Sequence, residues 1–388
     1  MDGANRLVLT SCPETQLVAG EALAALNNSG WLTATWSEAD LVPQRLARLF
    51  ALPPERSGLA AYPSLFFSVN FRGLDKYGEA FAVLQAKGIP LAVWCVDNPW
   101  NLLSGLRSDF WKYVHLFVTD PSHIPALYAH GATSVMFLPL ATSPAIFCSR
   151  KTNTIATSPV VFVGRSAFPD KDRFFVGQSV SDTSLEKASA FMDAGERPDF
   201  AWWLRELHME TAETVLWPGS AARKASLGAE NASLAWRTAC LLEAARSGLA
   251  IYGDAAWKEI FSQLAEHAPI FPGPVDYYRD LPGLYATASY SLNVMSFLLP
   301  HGLNQRHFDI WAAGGFCIMD KCPGLDLFPS ELTEPIAFAQ PGDISAIIER
   351  FSTAPEEKAA LRFAWQRHTL TEHTYERRMH TLTKSILS

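Results

Sequence analysis

The sequence predicts an α/β protein made of two doubly wound parallel-sheet domains, on three observations. At 388 residues the chain is longer than one hydrophobic core usually serves. Short, continuous apolar runs alternate with helical segments, the pattern of strands covered on both faces. A polar, Ser/Thr-rich stretch, "CSRKTNTIATSPV" from Cys148 to Val160, interrupts that alternation and reads as a linker.

In the first domain, expected over residues 1–150, the strands are "RLVLTSC", "SLFFSVNF", "IPLAVWCVDN", "VHLFVTD" and "ATSVMFLPLA". Helices fall between them: "KYGEAFAVLQAKG" stops on Gly88, and "PSHIPALYAHG" runs to Gly131 after a turn at Asp120-Pro121-Ser122. The second domain, expected over 151–365, carries "VVFVG", "GLAIYG", "APIFPG", "YSLNVM", "GFCIMD" and "PIAFA" as strands. Residues 172–247 are Ala-, Glu- and Trp-rich and read as a helical insertion. Residues 366–388 form a C-terminal helix expected to pack back on the first domain. Sheets of this kind bind ligands outside the carboxyl ends of their strands, so the chemistry is sought there.

Composition narrows the class. With 48% hydrophobic and 18% charged residues and a net charge of −7, the chain is that of a folded globular protein without a basic stripe for nucleic acid. No apolar run reaches the roughly 20 residues of a membrane span. The start, "MDGANRLVLTSCPE", has too short an apolar run for a signal peptide, which leads to the expectation of a cytoplasmic protein. Six cysteines form no C-x-x-C pair, so neither a zinc site nor a disulfide framework is expected. No D-x-D stands between apolar strands, and no metal or cofactor is expected.

The segment richest in chemistry is "HGLNQRHFDIWAAGGFCIMD", His301 to Asp320. Pro300 and Gly302 shape a turn, Asn304 is placed to cap the helix that follows, and Arg306 supplies a bidentate phosphate donor. The free N–H groups and positive end of such a helix suit a phosphate. Asp309, one turn along, is placed to accept from a ribose or sugar hydroxyl, and Gly314-Gly315 end the helix. Any αβ unit can show a polar helix start of this kind. The two best-known glycine-rich nucleotide fingerprints are absent.

"GLNQRHFDIWAAGGFCIMD" resembles the donor-site helix of GT-B glycosyltransferases, in which an acid precedes an alanine-rich turn, a glycine and a strand. Asp309 falls at the second acid of the E-x7-E motif of retaining members, and His301 stands where the first acid would be. With "FPGPVDYYRDLPGLYATASYSLNV" upstream, the segment is more closely similar to the CgeB-like group, named for a spore maturation protein. "VWCVDNPW", "VVFVGR" and "LAIYGDAAW" fit the same group, and the likeness spans roughly residues 90–350. It implies a GT-B fold and a metal-independent transfer of sugar from a nucleotide-diphosphate sugar, a UDP-sugar favoured, to a glycan or a protein such as flagellin. His301 in place of an acid leaves retention or inversion of the anomeric centre open.

On that resemblance, Gly164 and Arg165 hold the diphosphate, with Lys171 or Arg173 assisting; Gly253 allows close backbone approach; and Tyr277 contacts the base. Asp97 ends an apolar strand in "AVWCVDNPW" and is the candidate base, although an Asp before Asn-Pro is also a common turn former. Asn70, Arg72 and Asp75 end a neighbouring strand; His123 and His130 flank one helix as exposed or capping residues. Catalysis is thus expected of Asp97 and His301, and donor binding of Gly164, Arg165, Gly253, Tyr277, Asn304, Arg306 and Asp309. Rival readings are a nucleotide-sugar epimerase of the same fold and a two-lobed, non-catalytic sugar or nucleotide binder. The oligomeric state is not legible.

Overall fold

The computed structural model describes residues 6–387 except 53–55, 57–58, 149–153, 210–214 and 263–267, so the first half of the expected linker lies outside the described residues. The chain divides into two compact units. The first comprises Met1–Leu140, Val215–Ala222 and Tyr375–Ser388, and the second Ala141–Thr214 and Arg223–Thr374.

The first unit holds six parallel strands: β1 (Leu7–Thr10), β2 (Leu32–Thr35), β3 (Pro63–Val69), β4 (Leu91–Cys95), β5 (His115–Val118) and β6 (Ser134–Phe137). Their order is β2-β1-β3-β4-β5-β6, so the winding reverses between β1 and β3. Phe66, Phe67, Trp94 and Phe117 fill the interior, which is why these runs carry no polar alternation. The edge strand β2 is not among the strands expected from sequence: "LTAT" is half-exposed, and an edge strand need not be apolar on both faces. The C-terminal helix Tyr375–Leu387 belongs to this unit, where Tyr375 meets Trp94 edge-on at 6.1 Å and Arg378 Nε donates to Pro139 O at 2.8 Å.

The second unit has five parallel strands: β7 (Val160–Val163), β8 (Leu249–Tyr252), β9 (Tyr290–Asn293), β10 (Cys317–Asp320) and β11 (Ala337–Phe338). In the order β11-β10-β9-β7-β8 the winding reverses between β7 and β9. "APIFPG" makes only a single bridge, Ile270 to Ala250, rather than a strand. Two prolines in that run remove donors and break the ladder. The helical insertion contains Asp182–Asp193, Phe200–Glu206 and the 25-residue helix Ala221–Ala245. The long helix is structural support for β7: buried Arg237 donates from Nη1 to Arg165 O at 2.8 Å and Ser166 O at 3.3 Å, fixing the loop after the strand.

Candidate functional site

Gly164 follows β7 at the place where the second sheet reverses its winding, the usual ligand position in an open α/β sheet. A methyl group there would collide with Arg306 Nη1 and come within 2.8 Å of the Phe162 ring. Glycine is therefore what lets Arg306 lie against the strand end. The Arg306 guanidinium donates to Val163 O and sits 5.6 Å from the Phe162 ring centroid. Among the described residues no carboxylate pairs with it, and burial pulls its pKa down to about 10. A half-buried cation with no ion-pair partner, on which only the more distant Asp320 carboxylate acts, is costly, and an incoming anion offsets that cost.

Arg306 lies in the first turn of the helix Gln305–Ala312. Asn304 caps this helix, its Oδ1 accepting from His307 N at 3.2 Å, as expected from the sequence. The cap is locked by Asn293 at the end of β9: Asn293 Nδ2 donates to Asn304 Oδ1 at 3.1 Å, and Asn304 Nδ2 donates back at 2.8 Å. The paired amides hold the positive end of the helix at the carboxyl end of β9.

Gly164, Arg165 and Gly253 line one cavity of about 480 Å³ at the ends of β7 and β8, with Lys258, Phe271 and Val275. Trp257 Nε1 donates to Gly164 O at 2.9 Å beneath its floor, and a methyl on Gly253 would strike that same oxygen. Arg165 is 61% exposed and only loosely paired, its Nε 3.9 Å from Asp254. Asp254 instead spends both oxygens on Ser166, at 2.8 Å to its N–H and 2.8 Å to its hydroxyl. Lys258, Phe271 and Asn293 were not singled out in the sequence; a lysine in a helix and a lone Phe beside prolines carry no motif.

Two expected donor contacts are placed differently. Asp309 is fully buried, with Thr142 Oγ1 donating to Oδ1 at 2.8 Å, Tyr277 OH to Oδ2 at 2.8 Å and Gln305 Nε2 to Oδ1 at 3.3 Å. The hydroxyls it meets are the protein's own rather than a sugar's. Tyr277 is not part of the cavity wall: its ring packs edge-on against Phe147 at 5.4 Å, and its oxygen is committed to Asp309. Both tie neighbouring segments to the Asn304-capped helix.

His301 lies elsewhere on the same edge, in a second cavity of about 290 Å³ at the ends of β9, β10 and β11, beside Arg197, Asp320 and Lys321. Asp320 is buried, accepting from Met295 N at 2.9 Å and Trp236 Nε1 at 3.3 Å, and burial raises its carboxyl to about 6.

In the first unit, Asp97 follows β4 with its side chain reaching solvent. Surrounding protein raises its carboxyl above the ordinary range, while Asn70 Nδ2, donating to Oδ2 at 2.7 Å, pulls the other way. Asn98 fixes the loop by capping the next helix, accepting from Trp100 N at 3.0 Å and Asn101 N at 3.3 Å. His123 is buried rather than exposed, and His130 packs on Trp100 at 4.9 Å with Nε2 accepting from Leu216 N at 3.3 Å. Among the described residues, no three His, Cys, Asp or Glu side chains gather as metal ligands, and no helix is long and apolar enough to cross a membrane.

Comparison with known proteins bears on the fold. Residues 237–384 match a family model described as "Glycosyl transferase-like". No curated protein matches the sequence. Among solved structures, the DNA-modifying enzyme β-glucosyltransferase aligns with a TM-score of 0.53 at 9% identity, over 99% of this chain and 100% of that one. AviGT4, a glycosyltransferase of avilamycin A biosynthesis, gives 0.52 at 11% identity, over 98% and 96%. Anabaena HepE, solved with UDP-glucose, gives 0.52 at 9% identity, over 98% and 99%. T4 phage BGT with UDP and Mn²⁺ aligns with a TM-score of 0.51 at 9% identity, over 99% and 100%. The fold is GT-B, and within the chain residues 237–384 are similar to a glycosyl transferase-like family.

Proposed function

We propose that the protein is a glycosyltransferase, similar to the CgeB-like group, that moves a sugar from a nucleotide-diphosphate sugar, a UDP-sugar first among them, to a hydroxyl of a glycan or a protein such as flagellin. One observation carries the reading: Arg306, half-buried at the winding reversal of the second sheet, has no acid partner among the described residues. It lies against Gly164, which lines a cavity of about 480 Å³. A diphosphate across Gly164 would meet Arg306, exposed Arg165 and the positive helix end, while the nucleoside enters the cavity between Phe271 and Val275. UDP-glucose in the HepE structure and UDP in the T4 phage BGT structure favour uridine.

In the chemical step, charge grows on the leaving diphosphate, and fixed cations there lower the barrier. Arg306 and Arg165 carry this role without a metal or other cofactor, so turnover is expected to survive EDTA. Asp97 takes the acceptor's proton. Asp309 and Tyr277 act by holding the helix that carries Arg306. His301 faces the smaller cavity and contributes to the sugar end of the site.

Calorimetric titration with UDP, GDP, CDP and dTDP and their sugars tests the reading, on wild type and Arg165→Ala. The expected result is selective binding of one nucleoside diphosphate, weakened about tenfold in the variant. No binding by any of them would overturn it. A non-catalytic binder is the second reading, favoured by His301 at the position of an expected acid. It predicts binding without the slow donor hydrolysis of a transferase, whereas an epimerase would change the donor's sugar without releasing the nucleotide.

A further inference from the structure

Asn70 stands at the end of β3 with φ of 55°, in the left-handed region that non-glycine residues seldom occupy, and Phe71 follows at 61°. Three hydrogen bonds run from Asn70 to the end of β4. Its N–H donates to Trp94 O at 3.0 Å, its Oδ1 accepts from Val96 N at 2.8 Å, and its Nδ2 donates to Asp97 Oδ2 at 2.7 Å. The amide orientation is determined rather than ambiguous. Val96 N can only donate, so the atom facing it is the carbonyl oxygen and the atom facing Asp97 is the amine. Among the described residues this is the only hydrogen bond Asp97 receives, and its Oδ1 takes none.

Backbone held in a sparsely populated region needs the surrounding structure to over-determine it, and such positions gather at functional sites. Here the left-handed turn brings the amide of Asn70 round to the next strand's end. Asn98 clamps the other side of Asp97 as a buried helix cap. Resting on the transferase reading, we propose that Asn70 is the positioning residue for the base: it occupies Asp97 Oδ2 and so assigns Oδ1 as the oxygen that takes the acceptor's proton. In the step, the acceptor oxygen bonds to the anomeric carbon and its proton passes to Oδ1. The bond from that carbon to the β-phosphate oxygen breaks, its electron pair leaving on the nucleoside diphosphate.

The charged surroundings are sparse. Cys95, two residues back on β4, is a buried thiol whose pKa burial and Asp97 both push up. Arg72, in the turn after Asn70, acts on the Cys12 thiol. No cation pairs with Asp97 among the described residues, so the amide of Asn70 is the main group favouring its charged form.

Two substitutions separate positioning from folding. Asn70→Gly suits the left-handed backbone and deletes the amide. Asn70→Asp keeps an acceptor for Val96 and turns the donor facing Asp97 into a second carboxylate. The Asp97 carboxyl is followed by ¹³C NMR titration, with the pH profile of donor hydrolysis and transfer alongside. Asn70→Asp is expected to move the carboxyl titration and the acid limb of the profile upward together, by a pH unit or more, as two carboxylates sharing a site do. Asn70→Gly should move both upward by a smaller step and lower kcat at least tenfold with KM for the donor little changed. Unchanged titration and unchanged acid limb in both folded variants would overturn the proposal. So would a titration that moves while the acid limb stays, since Asp97 would then not be the base. Wild-type protein with neither hydrolysis nor transfer overturns the transferase reading and the catalytic use of the pair, while the NMR titration still decides whether Asn70 sets the state of Asp97.

Discussion

At Asp309, two hydroxyls and an amide converge on one buried carboxylate, from Thr142, Tyr277 and Gln305. Removing it leaves those donors unsatisfied in the interior, so Asp309→Ala should lose about 2–4 kcal/mol of stability in urea denaturation. Tyr277→Phe, deleting one donor, should lose about 1 kcal/mol. The opposite pattern is expected at Arg165, which is 61% exposed with a loose ion pair: Arg165→Ala should change stability by less than about 0.5 kcal/mol and act on donor binding alone. The contrast shows what single residues disclose from sequence. Asn304 was legible as a cap because capping is a local bond, from its Oδ1 to His307 N three residues on. Asp309 was not, because the hydroxyl it meets on Thr142 is 167 positions away in sequence. An acid inside an apolar helix looks the same in sequence whether it serves a ligand or the chain itself. Tyr277 misled for the same reason.

The helix Gln305–Ala312 is more than a carrier of Arg306. Its far side is aromatic: His307 lies fully buried at 5.1 Å from Phe328 and 5.2 Å from Trp365, and Trp365 stacks on Trp311 at 4.7 Å. Neither ring nitrogen of His307 finds a partner among the described residues, and burial lowers its pKa to about 3. The unfolded chain binds a proton near pH 6.5 that the folded one refuses until about pH 3. The stability tied to neutral His307 is therefore complete above pH 6.5 and is lost as pH falls towards 3, at up to about 1.4 kcal/mol per unit. Asp320, with its carboxyl raised to about 6, acts in the opposite sense: its protonated form is the stabilised one, and that contribution fades as pH rises through 6. His307→Phe should remove the first slope only, so variant and wild type should diverge steadily in denaturant titrations between pH 6.5 and 4. At this scale the strands buried on both faces announced themselves as apolar runs. β2 and the Ile270 bridge did not, since an edge position and a proline-broken run lack that signal.

For the whole molecule, the fold class was written in the alternation of strands and helices, and the carboxyl-edge rule together with the family resemblance pointed to Gly164 and Gly253, which line one cavity. The cavity beside them stayed hidden, because its wall is assembled from segments more than a hundred residues apart. A ligand bound only by the folded state adds stability as its concentration exceeds its dissociation constant, about 2.7 kcal/mol at a hundredfold excess. The matching nucleoside diphosphate should accordingly raise the melting temperature while the others leave it in place, a pattern readable in one thermal-shift plate.

The membership of the first unit carries a practical consequence for dissection. Val215–Ala222 and Tyr375–Ser388 belong to it although both follow the second unit's first strand in sequence. Trp217 rests edge-on against Trp111 at 5.7 Å, and Tyr375 against Trp94. Truncation after Leu140 would strip those rings from their partners and expose a tryptophan-rich face, inviting aggregation. A soluble first half therefore calls for rejoining both Val215–Ala222 and the C-terminal helix to residues 1–140, rather than for a single scissor cut.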